Sequence, residues 1–466
     1  MQNAKLVQLL RTLQKKEIIR CRRFLRSPLH NRRTELVQLY EYLLQQLKKK
    51  RPQLSKASIF ASVYPEEVYV NTKLHLLCSD LLQLIERFLI INQYLQEDTE
   101  GQLRLLQWYR QRGLEQHFKQ LYRKLEQQLD EQPFRDIEYL QLRKRIIWES
   151  YQWDVVSKPS GELPLDRMTQ LTDIIYLSEK LRQLFLIKSQ QAIYEKDYAL
   201  QEQSSLFERV QQYDLANYPT LEIYLQINQL LDGAFDRPGF LAFIDRLIAS
   251  APYFKELEIR ELYFITINWC IKQVNSGNVE YFQEMRDLYD TGFSSGFLLE
   301  NGKISRFAYY NVVAAALHSK DLEWGETFIR NFKDKLEEPY RESAYNHNLA
   351  RFEYERGNYD DAQHLLQKAN YRDVLFNLSA KTLLLKIYYE TEEFDLLDAH
   401  LDAMKNFIRR KKVIGYHQNN YFNLIRLTQK LMQVNWFDKV AVEQLKHEIT
   451  VTEVLTERAW VLQQLK

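Results

Sequence analysis

The chain has 466 residues, of which 45% are hydrophobic and 13% aromatic. That apolar content excludes a disordered chain of low hydrophobicity and high charge. Lys and Arg total 64 against 62 Asp and Glu, so no global field draws nucleic acid or an anionic membrane, and either partner would need a local patch.

Only 12 Gly and 10 Pro occur, against roughly 33 and 23 at average usage, so turns are scarce and helices abundant. The opening MQNAKLVQLLRTLQKKEIIRCRR lacks an apolar core of about seven residues after a basic start, and no secretory signal is expected. No later segment approaches about 18 uninterrupted apolar residues, so no membrane span is expected either. Cys21, Cys78 and Cys270 are odd in number, far apart and outside any C-x-x-C. They indicate a reducing, cytoplasmic setting and no structural zinc.

In chain order, Leu6, Leu9 and Leu10 mark a short helix. Ile18, Cys21 and Leu25 mark a second, which stops at Ser27-Pro28 because the residue before proline avoids the helical region. Leu36, Leu39, Tyr40, Leu43, Leu44 and Leu47 form another helical face, and Ser55 is placed to cap a short helix ending near Tyr64-Pro65. Leu74, Leu77, Leu81, Leu84, Phe88, Ile91 and Leu95 then step alternately by three and four residues along one long helix. Leu82, Ile85 and Leu89 widen this stripe, which favours burial within the chain over a homodimeric coil.

From Thr99 onward the pattern gives helices at 99–111, 114–130, 133–152, 166–195 and 198–213, joined by short polar breaks as in antiparallel neighbours. Ser157 to Pro164, with two prolines and a glycine, predicts a bend or boundary. No stretch shows convincing strand alternation. The expectation is an all-α chain: an N-terminal helical bundle over 1–97 and a helical-hairpin solenoid over 98–466.

Self-similarity emerges late in the chain. Asn346 to Leu366 reads NHNLARFEYERGNYDDAQHLL, in which a small residue at Ala350 lets a paired helix approach, Gly357 permits a turn and Tyr359 fills the gap between helices. This segment resembles a tetratricopeptide repeat, with Leu349 and Ala350 in its first helix, Gly357-Asn358-Tyr359 at its turn, and Ala362 and Ala369 in its second. The register recurs at Leu384, Leu385, Tyr388, Phe394, Leu397 and Met404, and upstream at Val312, Val313, Leu322, Gly325 and Phe332.

Taking Gly325, Ala362 and Leu397 as equivalent spaces the repeats by 37 and 35 residues. The clearest repeats cover 305–404, with weaker likeness back to about 219. Leu397 replaces the usual small residue and the closing proline is absent, while the amino-terminal third does not match the family. The whole chain is also similar to a group of bacterial helical-repeat proteins that begin with a basic helix ending in a Ser-Pro turn, here Phe24-Leu25-Arg26-Ser27-Pro28; that resemblance brings no known activity with it.

No catalytic motif survives its context. Gly292-Phe293-Ser294-Ser295-Gly296 matches G-x-S-x-G, but the preceding residues read as helix, so an inter-helix loop is expected rather than a nucleophile elbow. Gly296 to Lys303 spaces its glycines wrongly for a phosphate loop and follows Lys303 with Ile304. Asp361-x-x-His364 lacks the second half of a di-metal site, and the acids at Glu392, Glu393, Asp395, Asp398 and Asp402 read as a solvated face. No metal or cofactor is expected, nor an enzyme.

Two surfaces remain. Residues 11–33 hold nine Lys and Arg against Glu17, and Arg20, Arg22, Arg23 and Arg26 could meet nucleic-acid phosphates, although Ile18, Cys21 and Leu25 make the segment an ordinary amphipathic helix with a basic outside. The other surface is the concave side of stacked hairpins, lined by the first helix of each. By resemblance Tyr310, Asn311, His347, Asn348, Arg351 and Lys386 face it. Relatives that clamp peptides use asparagine at the site of Asn311 and Asn348, but the basic residues that complete their clamp are replaced by Ser379 and Leu383. The leading expectation is a non-catalytic scaffold that receives a protein or peptide on this face; the alternative is a nucleic-acid-binding or regulatory protein using 11–33.

Overall fold

The computed structural model describes residues 4–49, 52–96, 98–157, 163–194, 198, 203–367, 374–410 and 416–465. These residues form twenty-three α-helices and no strand, with two isolated bridges at Glu300–Lys303 and Ile304–Leu336. No helix among them is long and apolar enough to cross a membrane. Internal contacts divide the chain into two units, Met1–Pro133 with Ile137–Ile175, and Phe134–Asp136 with Tyr176–Lys466.

The first unit opens with α1 (Lys5–Thr12), α2 (Lys15–Leu25), α3 (Thr34–Leu47), α4 (Lys56–Val63) and α5 (Asn71–Gln96). Their apolar stripes merge into one core running from Leu6 to Phe88. Ser55 caps α4 by accepting from the Ser58 amide. On α5 the buried apolar positions are Leu74, Leu77, Leu81, Ile85 and Phe88. The buried stripe thus passes from Leu84 to Ile85, because a straight helix of 3.6 residues per turn drifts off a seven-residue repeat. The stripe is consumed within the chain by α1 to α4, while the Leu95 side chain lies outside what is described.

Next come α6 (Asp98–Gln111), α7 (Glu115–Glu131), α8 (Ile137–Ser157) and α9 (Leu165–Tyr194). Helix α8 starts later than residue 133 because residues 134–136 spend their backbone groups elsewhere: the Arg135 amide donates to the Tyr253 carbonyl at 2.8 Å, and the Arg135 carbonyl accepts from the Thr220 hydroxyl. Most of the bend expected at 157–164 lies outside the described residues, as does Ala369.

The second unit is a helical-hairpin solenoid. It contains α10 (Gln203–Val210), α11 (Pro219–Leu231), α12 (Arg237–Ser250), α13 (Glu256–Asn275), α14 (Tyr281–Ser294), α15 (Arg306–His318), α16 (Leu322–Phe332), α17 (Arg341–Glu355), α18 (Tyr359–Gln367), α19 (Val374–Glu390) and α20 (Phe394–Arg410). Apart from α12 and α13, consecutive helices pair as antiparallel neighbours, and the first helices α15, α17 and α19 also pack on one another. Helices α21 (Tyr416–Gln433), α22 (Lys439–Val451) and α23 (Arg458–Gln463) share a core with α19 and α20.

The repeat register is visible in the packing. Gly325, Ala362 and Leu397 each occupy the fourth position of a second helix, and Val313, Ala350 and Leu385, each twelve residues earlier, are fully buried on the first. A Cβ on Gly325 would lie 2.4 Å from Phe352 and 2.6 Å from the Ala316 Cβ, so this crossing accepts only hydrogen.

The turns repeat too. Lys320, Gly357 and Glu392 all have φ between 59° and 77°, and the following amides, of Asp321, Asn358 and Glu393, close back onto the carbonyls of Ala316, Glu353 and Tyr388 at 2.8–3.0 Å. This is a left-handed helix stop that glycine adopts freely and other residues resist. Replacing Lys320 or Glu392 with glycine is therefore expected to raise the unfolding free energy by about 1 kcal/mol each, readable as a rise in urea midpoint. Gly357→Ala should move it the other way.

Gly292, Phe293 and Ser294 prove to be the last turn of α14 rather than loop. Gly292 is required there because its missing side chain admits Leu298, whose Cδ1 would sit 2.5 Å from a Cβ.

Candidate functional site

Three first helices, α15, α17 and α19, present the same repeat positions to one hollow of about 240 Å³. Tyr310, His347 and Thr382 fall at one position, 37 and 35 residues apart, and Arg351 and Lys386 fall at another, where α15 carries Ala314. Leu317, His318, Tyr354, Glu355, Ser379, Leu383 and Glu457 complete the lining.

Arg351 is half-buried. Its Nη1 donates to the Tyr310 carbonyl and to Asn348 Oδ1, both at 3.4 Å, and its guanidinium carbon lies 4.3 Å from the Tyr310 ring centroid. Among the described residues it forms no ion pair. Lys386 Nζ instead meets Glu457 Oε2 at 3.1 Å and faces the Tyr354 ring at 4.7 Å.

His347 is wholly buried, with Nε2 3.2 Å from Ser379 Oγ. Burial, reinforced by the Arg351 charge, depresses its pKa to about 3, so the ring is neutral at physiological pH. Thr382 is 5% exposed and its Oγ1 has no hydrogen-bond partner among the described residues. The floor thus offers neutral polar groups, and the walls carry two cations, Arg351 and Lys386, and two carboxylates, Glu355 and Glu457.

The carboxyl-terminal helices reach this side of the array. The Trp460 Nε1 donates to Glu390 Oε1 at 2.6 Å, and the Tyr354 and Tyr359 hydroxyls also donate to that carboxylate. On α21, burial pushes the Tyr421 phenol up to about 12, with Tyr310 and Glu457 close enough to add to the effect. Of these carboxyl-terminal residues, Glu457 enters the lining of the hollow itself.

Of the six positions expected on this face, Tyr310, His347, Arg351 and Lys386 line the hollow. Asn311 and Asn348 do not. Each follows a lining residue, and one step on a helix turns a side chain by about 100°. Asn348 is fully buried and donates to the Ala344 carbonyl at 2.8 Å; Asn311 lies close enough to the buried Tyr289 phenol of α14 to counter part of the rise that burial gives its pKa. Thr382 and Glu457 escaped the sequence reading, the first for want of a charge, the second because it lies 71 residues from Lys386.

The basic amino-terminal segment is differently placed. Arg22 makes two hydrogen bonds to Glu41, at 2.6 and 2.9 Å, and Arg26 a third at 3.2 Å. Arg20 donates to Asn92, and Arg33 pairs with Asp80 at 2.5 Å. Arg23 is exposed. A shallow groove beside α3 is lined by Arg26, Arg32 and Arg33, but two of these three already have carboxylate partners. Two further basic runs of the sequence, 48–51 and 409–412, fall partly outside the described residues, at Lys50, Arg51, Lys411 and Lys412.

The fold and its hollow define the class of molecule: an all-α helical-hairpin solenoid with a polar recess on its row of first helices. No protein-family model, curated protein or solved structure matches the chain.

Proposed function

We propose that the protein is a non-catalytic cytoplasmic adaptor whose tetratricopeptide-like hairpins bind a protein or peptide on the face formed by α15, α17 and α19. The observation that carries this reading is the convergence of equivalent repeat positions, Tyr310, His347 and Thr382, with Arg351 and Lys386, on one recess. A repeat array sums small contributions from matching positions, which is how such folds build recognition surfaces. Aromatic and arginine side chains in a desolvated recess are the usual anchors of a protein interface. The free thiols of Cys21, Cys78 and Cys270 agree with a reducing compartment.

Asn348 is unsuitable for testing this face, because its replacement would disturb packing. Arg351→Ala combined with Lys386→Ala is expected to cut recovery of co-purifying partners about tenfold, measured by quantitative mass spectrometry on full-length protein retrieved from its native cell, with far-UV circular dichroism unchanged. Equal recovery from a folded double variant would exclude this face.

A further inference from the structure

Of the two carboxylates that line the recess, Glu355 and Glu457, the second is already paired with one of its cations. Glu457 stands in the turn before α23 with φ 55°, a left-handed conformation that glutamate resists. Its carboxylate lies against Lys386 at 3.1 Å, with side-chain exposures of 36% for Glu457 and 14% for Lys386. The lysine is thus sheltered while its partner remains reachable from solvent, held by one ion pair on a strained link. Beside it, Arg351 makes no ion pair among the described residues, although Glu355 lines the same hollow, and Thr382 keeps a buried, unbonded hydroxyl.

The volume limits what can enter. Pockets for drug-sized ligands run to about 300–1,000 Å³, so a hollow of about 240 Å³ suits one side chain of a larger partner. A guanidinium fork matches a planar carboxylate, and a carboxylate is what Lys386 already holds.

We propose that the recess recognises an acidic side chain of an extended peptide, and that Glu457 is a built-in competitor which the incoming carboxylate displaces from Lys386 as it also engages Arg351. This rests on the partner-binding reading of the same face. Exchange is reversible and non-covalent: one carboxylate leaves as another arrives, so the net charge of the recess is preserved, and the backbone at residue 457 is free to relax.

The test uses an acetylated, amidated tetraglutamate peptide, titrated calorimetrically into the full-length protein at low salt, with tetraglutamine and inorganic phosphate as comparison probes. Glu457→Gln is expected to bind tetraglutamate about fivefold more tightly than the parent, the size of one partly exposed ion pair. Lys386→Gln and Arg351→Gln should each abolish that binding while melting at the parent's temperature, and tetraglutamine should not bind.

Equal affinity of the parent and Glu457→Gln for tetraglutamate, or inorganic phosphate binding the recess in its place, overturns the proposal. Should native partners still be lost on Arg351→Ala with Lys386→Ala while tetraglutamate behaves alike in all variants, the adaptor reading stands and acidic recognition with Glu457 competition falls.

Discussion

Acidification from pH 7 to pH 4 is expected to remove about 3 kcal/mol of stability through His347 alone. In the unfolded chain this ring titrates near its ordinary 6.5, whereas burial and then the Arg351 charge hold it at about 3 in the native state. Between those values the unfolded chain takes up a proton that the folded one refuses, so stability is fully present above 6.5 and drains as the pH falls toward 3. Other groups titrate as well, and the difference between parent and His347→Phe isolates this one: urea unfolding at pH 7, 5.5 and 4.5 should show a shallower decline in the variant. Parallel declines would mean the ring is not buried as described.

The second large effect concerns the crossing of α16 with α15 and α17. Gly325→Leu is expected to cost about 3 kcal/mol, because the new side chain must enter space held by Phe352 and Ala316. Phe352→Ala should cost about 3–5 kcal/mol by leaving a cavity. Since the two changes concern one volume, the double variant should lose clearly less than the sum of the singles, and additivity in denaturant melts would contradict the packing.

Much of this architecture is written in local pattern. The 3.6-residue spacing of apolar residues locates the helices, and Gly325, Ala362 and Leu397 mark one register despite their differing size, because each sits at the same turn of a second helix. The helix stops are harder to read. Gly357 advertises a left-handed residue, whereas Lys320 and Glu392 occupy the same conformation without any compositional sign.

The recess was half legible. Tyr310, His347, Arg351 and Lys386 follow from repeat periodicity, which also brings in the adjacent asparagines, although a single helical step turns those into the packing. Glu457 is a long-range arrival: nothing within one repeat predicts that a turn near the carboxyl end will set a carboxylate on Lys386. The arginines of the basic segment show the converse, since Glu41 and Asp80 lie well apart from them in sequence and pair with them only in the folded bundle.

The proposed adaptor role requires a partner to meet the row of first helices. Its most direct test places the photocrosslinking amino acid p-benzoylphenylalanine at position 310, in the recess, or at 361, exposed on second helix α18, and irradiates full-length protein in its native cell. Covalent partner adducts from position 310 and none from 361 are the predicted result. Adducts confined to position 361 would contradict it.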